Sequence, residues 1–424
     1  MATTAMSVTD TCLAAKAAAR RLAALPTTVK DAALLAIADG LQERTPEILE
    51  ANARDMEAGR ENGLGAALLD RLELTAERIA AIAAQVRDVA ALGDPVGEVV
   101  DGHRLPNGLD VKKIRVPLGV VAVVYEARPN VTIDAAALCL KSGNAVVLRG
   151  SSSAAHSNAI LAAVASDAAT AAGMPEGAVS LVAGGGREEL AELATQAGVV
   201  DLIVPRGGEG LKQALSAVAT VPVIYAAAGN CHVYVDAAAD LAWAREIVLN
   251  AKVQRPSACN AAETLLVHAD VAAAFLPGAL CALRDAGVEL RVDGRTRALA
   301  GTALAGELLD ATDADWDTEF LALTLAVAVV DGLDEAVEHI AAHGSGHSEA
   351  IVSGDAVALR AFELGVDAAC VYLNASTRFT DGGEFGLGAE IGNSTQKLHA
   401  RGPIGMRELC SAKYVVQGDG HVRR

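Results

Sequence analysis

Seven cysteines are scattered along the chain, at positions 12, 139, 231, 259, 281, 370 and 410, with no Cys-x-x-Cys pair. Most of them read as packing. Cys139 in Ala-Leu-Cys-Leu and Cys370 in Ala-Ala-Cys-Val lie in apolar runs, where a thiol serves as a small hydrophobe. Cys259 differs. It lies in Gln254-Arg255-Pro256-Ser257-Ala258-Cys259-Asn260, a polar, proline-containing loop after a helical stretch that carries Lys252. A thiol near cations and a turn can have a lowered pKa and act as a nucleophile. The residues alone leave a structural cysteine as the other reading. Two further groups stand out. Arg206-Gly207-Gly208-Glu209-Gly210 follows a strand and opens a helix, and its glycines would let backbone N–H groups approach a phosphate. His339, His343 and His347 are spaced four apart, which on one helix would make a metal face. Gly344 and Gly346 interrupt that helix and no His-Glu-x-x-His is present, so no metal is expected. His343 and His347 are expected as polar loop residues near a cleft, either touching substrate or bracing the catalytic loop.

The elements that must position these residues come next. The first ninety residues read as helices, with Leu34, Ile37, Ala38 and Leu41 at helical spacing. Around Pro106-Asn107-Gly108 the pattern becomes a β-hairpin, over 97–116. Apolar strands are expected at Val120–Tyr125, Ala145–Leu148, Val179–Val182, Leu202–Val204 and Val221–Ile224, with helices between them. A second series follows: Thr264–Val267, Leu290–Val292, Ala326–Val330, Ala350–Val352 and Cys370–Leu373. Short apolar strands alternating with helices imply parallel sheets covered on both faces. Two α/β domains with a cleft are expected, the switch falling near Gly229–Val235.

Composition sets limits on function. Apolar residues make up 52% of 424 and aromatics only 3%, so Ala, Val and Leu must fill the core. A net charge of −18 speaks against nucleic acid or an anionic membrane as partner, since both need a basic footprint. A small anionic substrate is compatible, because it answers to a few local Arg and Lys residues. No apolar run reaches the length a bilayer requires, and Met1–Asp10 lacks the pattern of a signal peptide. Unpatterned thiols suit a reducing compartment, so the expected location is cytoplasmic.

Pro117-Leu118-Gly119-Val120-Val121, leading into Glu126-Ala127-Arg128-Pro129-Asn130, resembles a strand and Pro-x-Asn loop of the aldehyde dehydrogenase superfamily. Gly143-Asn144-Ala145-Val146-Val147-Leu148-Arg149 resembles its next strand. The resemblance runs over about residues 10–415. It is most specific to the branch that reduces γ-glutamyl phosphate. The matching pieces are Tyr125-Glu126-Ala127-Arg128-Pro129-Asn130-Val131-Thr132, Gln254-Arg255-Pro256 with Cys259-Asn260, and His339-Ile340-Ala341-Ala342-His343-Gly344-Ser345-Gly346-His347-Ser348-Glu349.

The resemblance implies an α/β, aldehyde dehydrogenase-like fold: two Rossmann-like domains with a β-hairpin oligomerisation arm. The expected division is 1–96 and 117–228 for cofactor, 229–373 for catalysis, 97–116 and 405–424 for the arm, and 374–404 as a returning segment. That segment holds an active-site loop, Asp381–Gly392. Cys259 becomes the nucleophile and Asn130 the side-chain oxyanion donor, with a turn-holding asparagine as its plain alternative. The cofactor residues are Arg149, Ser151, Arg206, Gly207, Gly208, Gly210, Glu319 and Phe320. Arg149 stands where the superfamily usually has Lys, and it leans toward NADP(H) because Arg forks onto phosphate. Leu321-Ala322 replaces the usual Gly-Pro after Glu319-Phe320. Arg128, Lys252, Arg255 and Arg378 are cationic candidates for an anionic substrate, and each reads equally as a surface or structural charge.

Hydrolytic members carry a Glu-Leu-Gly-Gly segment whose Glu activates water. Ala226-Ala227-Ala228-Gly229-Asn230 stands there and has no carboxylate. Without a general base, a thioester survives for phosphate or hydride. The implied reaction is the NADPH-dependent reduction of L-glutamyl 5-phosphate, supplied by a glutamate 5-kinase, to the 5-semialdehyde in L-proline biosynthesis. A homo-oligomer, dimer or tetramer, is expected. The rival readings are a general acylating dehydrogenase of the same fold, an inactive cofactor-binding protein, and a metal-binding protein built on the histidines.

Overall fold

The computed structural model describes residues 6–184, 186–225, 229–304 and 306–423. The chain divides into two compact units. The first comprises Met1–Tyr225, Gly386–Gly392 and Pro403–Arg424; the second comprises Ala226–Phe385 and Asn393–Gly402.

The first unit opens with helices α1 (Val8–Leu22), α2 (Thr27–Glu43), α3 (Thr45–Glu61), α4 (Ala66–Leu72) and α5 (Ala76–Ala91). Capping starts two of them: Ser7 accepts from Asp10 N and Thr75 accepts from Arg78 N. Those hydroxyls satisfy N–H groups that a helix start leaves without a partner. The expected hairpin follows as β1 (Val99–Arg104) and β2 (Asp110–Pro117), paired antiparallel. The C-terminal strand, Cys410–Gln417, pairs with β2 on its other side, also antiparallel.

Then come β3 (Val120–Tyr125), α6 (Asn130–Lys141), β4 (Ala145–Arg149), α7 (Ala155–Ala171), β5 (Val179–Leu181), α8 (Arg187–Ala194), β6 (Leu202–Arg206) and α9 (Glu209–Val218). The sheet order is β5-β4-β3-β6, and every pairing is parallel. Every residue of β3 and β4 is buried, as a parallel sheet covered on both faces demands. The strand expected at Val221–Ile224 is only a single bridge, Ile203 to Val223. Pro222 has no N–H to give a ladder, which limits the contact to one turn of pairing.

The second unit runs β7 (Cys231–Val235), α10 (Leu241–Val253), β8 (Ala262–His268), α11 (Ala269–Asp285), β9 (Glu289–Val292), α12 (Gly294–Leu299), β10 (Leu309–Asp310), α13 (Asp313–Trp316), β11 (Thr324–Val330), α14 (Leu333–His343), β12 (Ser348–Val352), α15 (Ala356–Gly365) and β13 (Cys370–Leu373). The seven strands lie in the order β10-β9-β11-β8-β7-β12-β13, all parallel. Asp240 caps α10 by accepting from Ala242 N and Trp243 N. Its core is aliphatic, with Leu265, Leu276, Leu280 and Val327 fully buried. Among the described residues no helix is long and apolar enough to cross a membrane.

One buried acid organises the start of α7. Asp55 on α3 accepts from His156 N (3.2 Å), His156 Nδ1 (2.8 Å), Ser157 N (2.7 Å) and Ser157 Oγ (2.6 Å). A carboxylate at a helix N-terminus is favoured by both the N–H groups and the dipole. Asp55→Ala removes all four acceptor contacts at a buried position. It should destabilise the first unit by about 2–4 kcal/mol, read as a lower-melting calorimetric transition for that unit.

Candidate active site

In the first unit the chemistry-bearing residues gather at the carboxyl ends of adjacent strands, where open parallel sheets bind ligands. Val124 lies beside Arg149 and Tyr125 beside Arg206 in the strand register. Ser151 Oγ accepts from Ala127 N (3.2 Å) and pairs with Ser153 Oγ (2.6 Å), which joins the loops after β3 and β4. Arg149 is buried and donates to Gly186 O at 2.6 Å. Burial lowers its pKa, and the carboxylates of Glu189 and Glu126 work the other way. Gly208 N donates to Glu126 Oε2 at 3.0 Å, so this acid already takes one N–H of the glycine turn. Added Cβ atoms at Gly208 and Gly210 would meet nothing within 4 Å, whereas one at Gly207 would stand 2.7 Å from Glu126 and Leu211, so the turn is open only on its Gly208 and Gly210 side.

Asn130 is the first residue of α6, and its Nδ2 donates to Asp134 Oδ2 at 2.9 Å. Crowding by the surrounding chain pushes the half-buried Asp134 carboxyl up to about 6, against the Asn130 bond and the charge of Arg206. Asp134 was not singled out in the sequence. The available signal was an acid four residues on, in an otherwise apolar helix. An amide carries two hydrogens, so this bond orients Asn130 and leaves one donor for another group.

In the second unit the candidate nucleophile lies at the amino ends of the strands. Cys259 sits in the loop between α10 and β8, and it is the exposed thiol of the seven. Its backbone is held from several sides. A Cβ on Gly229 would stand 1.7 Å from the Cys259 carbonyl oxygen and 2.6 Å from its Cα. The buried Cys231 thiol donates to that same oxygen at 3.3 Å. Burial raises the Cys231 pKa well above 9, so it remains a donor. Asn260 Nδ2 donates to Thr380 O (2.9 Å) and Arg378 O (3.3 Å), while Thr377 Oγ1 donates to Asn260 O (2.6 Å). Arg378 follows β13 at the opposite end of the sheet, and the fold-back of this segment brings it to the thiol loop. Its Nε donates to Gln254 Oε1 at 2.7 Å. Burial and the like charge of Arg255 lower its pKa, opposed by Cys259 and Asp381. The two guanidiniums are thus near enough for each charge to act on the other.

Glu319 Oε1 accepts from Gly229 N at 2.7 Å. Burial raises the Glu319 pKa, opposed by that bond and by Lys252. Phe320 lies under Arg291, with the guanidinium carbon 5.2 Å from the ring centre. Lys252, expected among the substrate cations, is wholly buried instead and bonds Glu263 at 2.5 Å. Its helix position turns it into the interior. Residues Ala226–Ala228 of the segment expected to lack a base lie outside the described residues; Gly229 and Asn230 lie within them.

Of the two histidines expected in a loop, His347 lies in the one before β12 and His343 does not. His343 ends α14 and its Nδ1 lies 2.8 Å from Asp317. His339 stacks edge-on to His232 and Trp316. His347 is fully buried, with Nδ1 2.8 Å from Ser348 Oγ and 4.0 Å from Cys231 Sγ. Burial drops His347 to about 4, so it is neutral at physiological pH and offers an anion no charge. Among the described residues no group of three or more His, Cys, Asp or Glu could hold a metal ion.

A two-unit α/β chain with a loop-borne thiol and a second acid–glycine contact defines a class. A model described as the aldehyde dehydrogenase family matches residues 1–298, and the chain belongs to that family. It is similar to the γ-glutamyl phosphate reductase of Thermobifida fusca, at 57% identity over 96% of this chain and 97% of the relative. The Syntrophomonas wolfei protein of that name is 54% identical over 96% of each chain. The crystal structure of the Thermotoga maritima γ-glutamyl phosphate reductase superposes with a TM-score of 0.96, at 43% identity, over 99% of this chain and 100% of that one. An acetylating aldehyde dehydrogenase from Geobacillus thermoglucosidasius shares the fold, with a TM-score of 0.69 at 20% identity over 98% of this chain and 97% of that one. The resemblance read from the sequence, its branch included, is borne out, and the protein is an oxidoreductase of aldehyde dehydrogenase type.

Gly229→Ala should displace the Cys259 backbone, because no flexible side chain is there to yield. We expect kcat to fall by ~100-fold or more with far-ultraviolet circular dichroism unchanged. A second expectation concerns acid. His347 and His339, lowered to about 4 and about 3, stay neutral when folded, whereas the unfolded chain takes up protons below its ordinary histidine pKa. Stability is therefore present above about pH 6.5 and is lost as pH falls toward 4. His347→Asn should flatten the melting-temperature profile in that window by about one proton's worth.

Proposed function

We propose that the enzyme reduces L-glutamyl 5-phosphate to L-glutamate 5-semialdehyde and phosphate, with NADPH, through a thioester on Cys259, as a step of L-proline biosynthesis. The observation that carries this reading is the exposed Cys259 thiol on a loop fixed by Gly229, Cys231 and Asn260, with the Arg378 guanidinium close enough to feel its charge. The name shared by relatives at 57% and 54% identity supports the substrate.

The Cys259 thiolate attacks the γ-carbonyl carbon, and a C–S bond forms. The carbonyl oxygen becomes an oxyanion, with the Cys259 backbone N–H and the remaining Asn130 amide hydrogen as proposed donors. The oxyanion collapses, the bond between the acyl carbon and the bridging oxygen breaks, and phosphate leaves with that oxygen and the electron pair. When bound, the reduced nicotinamide supplies a hydride to the thioester. The C–S bond of the resulting thiohemiacetal then breaks, releasing the aldehyde and the thiolate. One proton is consumed overall. Arg255, Arg378 and Arg128 are the proposed cations for the substrate's phosphate and carboxylate. His347, neutral and buried, is proposed as a brace, and His343 as a residue at the margin of the site.

For the cofactor, Arg149, Ser151, Arg206, the glycines of 207, 208 and 210, Glu319 and Phe320 are the proposed contacts. The open side of the Gly208–Gly210 turn supports a phosphate there. Glu189 and Glu126 offset part of the Arg149 charge, so the hydroxyls of Ser151–Ser153 share the proposed preference for NADPH. The missing carboxylate in 226–230 supports phosphate, rather than water, as the acyl acceptor in reverse. Glu319 reaches Gly229, and one of its oxygens is already taken by that N–H. We further propose cytoplasmic location, an acyl phosphate delivered by a glutamate 5-kinase, and a homo-oligomer formed through the hairpin arm, with the cofactor and catalytic regions at the boundaries given above.

The reaction is best run backward, because acyl phosphates are labile. NADPH formation from glutamate 5-semialdehyde and NADP⁺ should require inorganic phosphate and should drop by ~1000-fold or more in Cys259→Ala. NAD⁺ in place of NADP⁺ should raise the cofactor KM. Phosphate-independent turnover would mean that water deacylates the enzyme, and would favour a general aldehyde dehydrogenase.

A further inference from the structure

We infer that the buried Lys252–Glu263 pair is a positioning couple: it closes the Cys259 loop at its base and ties that loop to the segment carrying Glu319. The inference rests on the proposed roles of Cys259 as nucleophile and Glu319 as cofactor ligand.

Lys252 lies in the last turn of α10 and Glu263 is the second residue of β8, so the pair brackets the loop 253–262. Both side chains are 0% exposed, and Nζ lies 2.5 Å from Oε2. Stability alone does not explain such a pair. Desolvating two charges offsets most or all of their attraction, and apolar residues of similar volume commonly do as well. The geometry supplies a reason. The second carboxylate oxygen, Oε1, accepts from Leu321 N at 3.3 Å. Leu321 has φ +53°, a left-handed conformation that is costly for a branched residue and must be held by its surroundings.

Two residues earlier, Glu319 Oε1 takes the N–H of Gly229 at 2.7 Å. Gly229 rests directly on the Cys259 backbone. The contacts close a ring: thiol loop, Lys252, Glu263, Leu321, Glu319, Gly229 and back to Cys259. Lys252 also favours ionised Glu319. A shift of Glu263 is therefore transmitted to both the thiol and the acid. Burial raises the Glu263 pKa to about 7 despite the Lys252 charge, which marks how little solvent reaches this joint.

The test separates the tie from the charge. K252M/E263Q and K252M/E263L both remove the ion pair and nearly conserve volume. Only the first keeps a carbonyl acceptor for Leu321 N–H. Both are measured as full-length enzyme for melting temperature, kcat, NADP⁺ KM, and the rate of Cys259 alkylation by iodoacetamide without cofactor. At equal melting temperature, we expect K252M/E263L to show ~10-fold higher NADP⁺ KM, ~10-fold lower kcat and a several-fold change in alkylation rate relative to K252M/E263Q. Equal kinetics and equal alkylation in the two variants would overturn the inference and leave the pair a packing feature. Glu319→Gln separates the underlying reading. If it leaves NADP⁺ KM unchanged while alkylation still differs between the double variants, the cofactor role of Glu319 falls and the coupling to Cys259 stands.

Discussion

The approach of Gly229 to Cys259 is the constraint around which the second unit is arranged. With the Cys259 carbonyl oxygen 1.7 Å from where a Cβ would be, the two backbones touch without side chains between them. Such a contact fixes the thiol's main chain far better than a long side chain could, since backbone atoms have little freedom to relax. It also explains why the supports converge there. Cys231 holds the carbonyl of Cys259, Asn260 laces the next residue to the 377–380 segment, and Glu319 holds the N–H of Gly229 itself. Each is a hydrogen bond to backbone, which locates the loop without engaging its reactive atom.

The two units use their sheets in opposite senses. In the first, Arg149, Ser151, Arg206 and Asn130 stand at or just past the carboxyl ends of β3, β4 and β6, where helix N-termini present N–H groups. In the second, the thiol loop precedes β8, Gly229 precedes β7 and His347 precedes β12, so the candidate site residues lie at the amino ends. The proposed nucleophile would gain from nearby cations and not from the negative helix ends that gather at the amino ends of the strands. The fold-back of 374–380, which returns Arg378 to the amino ends, answers that need.

Periodicity carried most of the architecture. Continuous apolar runs such as Val120–Tyr125 and Ala326–Val330 are strands in the structure because burial on both faces leaves no alternation to confuse. Val221–Ile224 looked alike and is not a ladder strand, since Pro222 interrupts donation. The site was legible where a residue type is rare in its setting, as with Cys259 in a polar loop. It was not legible where function comes from apposition across sequence. Glu263 lies in an ordinary strand and Cys231 is one more apolar thiol; only the fold brings them to Leu321 and the Cys259 carbonyl. Lys252 illustrates the converse, a cation suited to substrate by sequence and consumed by a buried partner.

Charge accounting around the thiol reconciles an acidic chain with an anionic substrate. The net charge of −18 is carried mostly at the surface, where exposed charges are screened beyond about 8–10 Å at physiological salt. Lys252 cancels against Glu263 in the interior and adds little outward field. Arg378, by contrast, is oriented by the neutral oxygen of Gln254, so its position is fixed without its charge being spent on that bond. Arg255 is near enough for its like charge to lower the Arg378 pKa, an unfavourable interaction that a proposed anionic substrate would relieve. The proposed site thereby draws on a local positive charge, while the chain as a whole remains strongly negative.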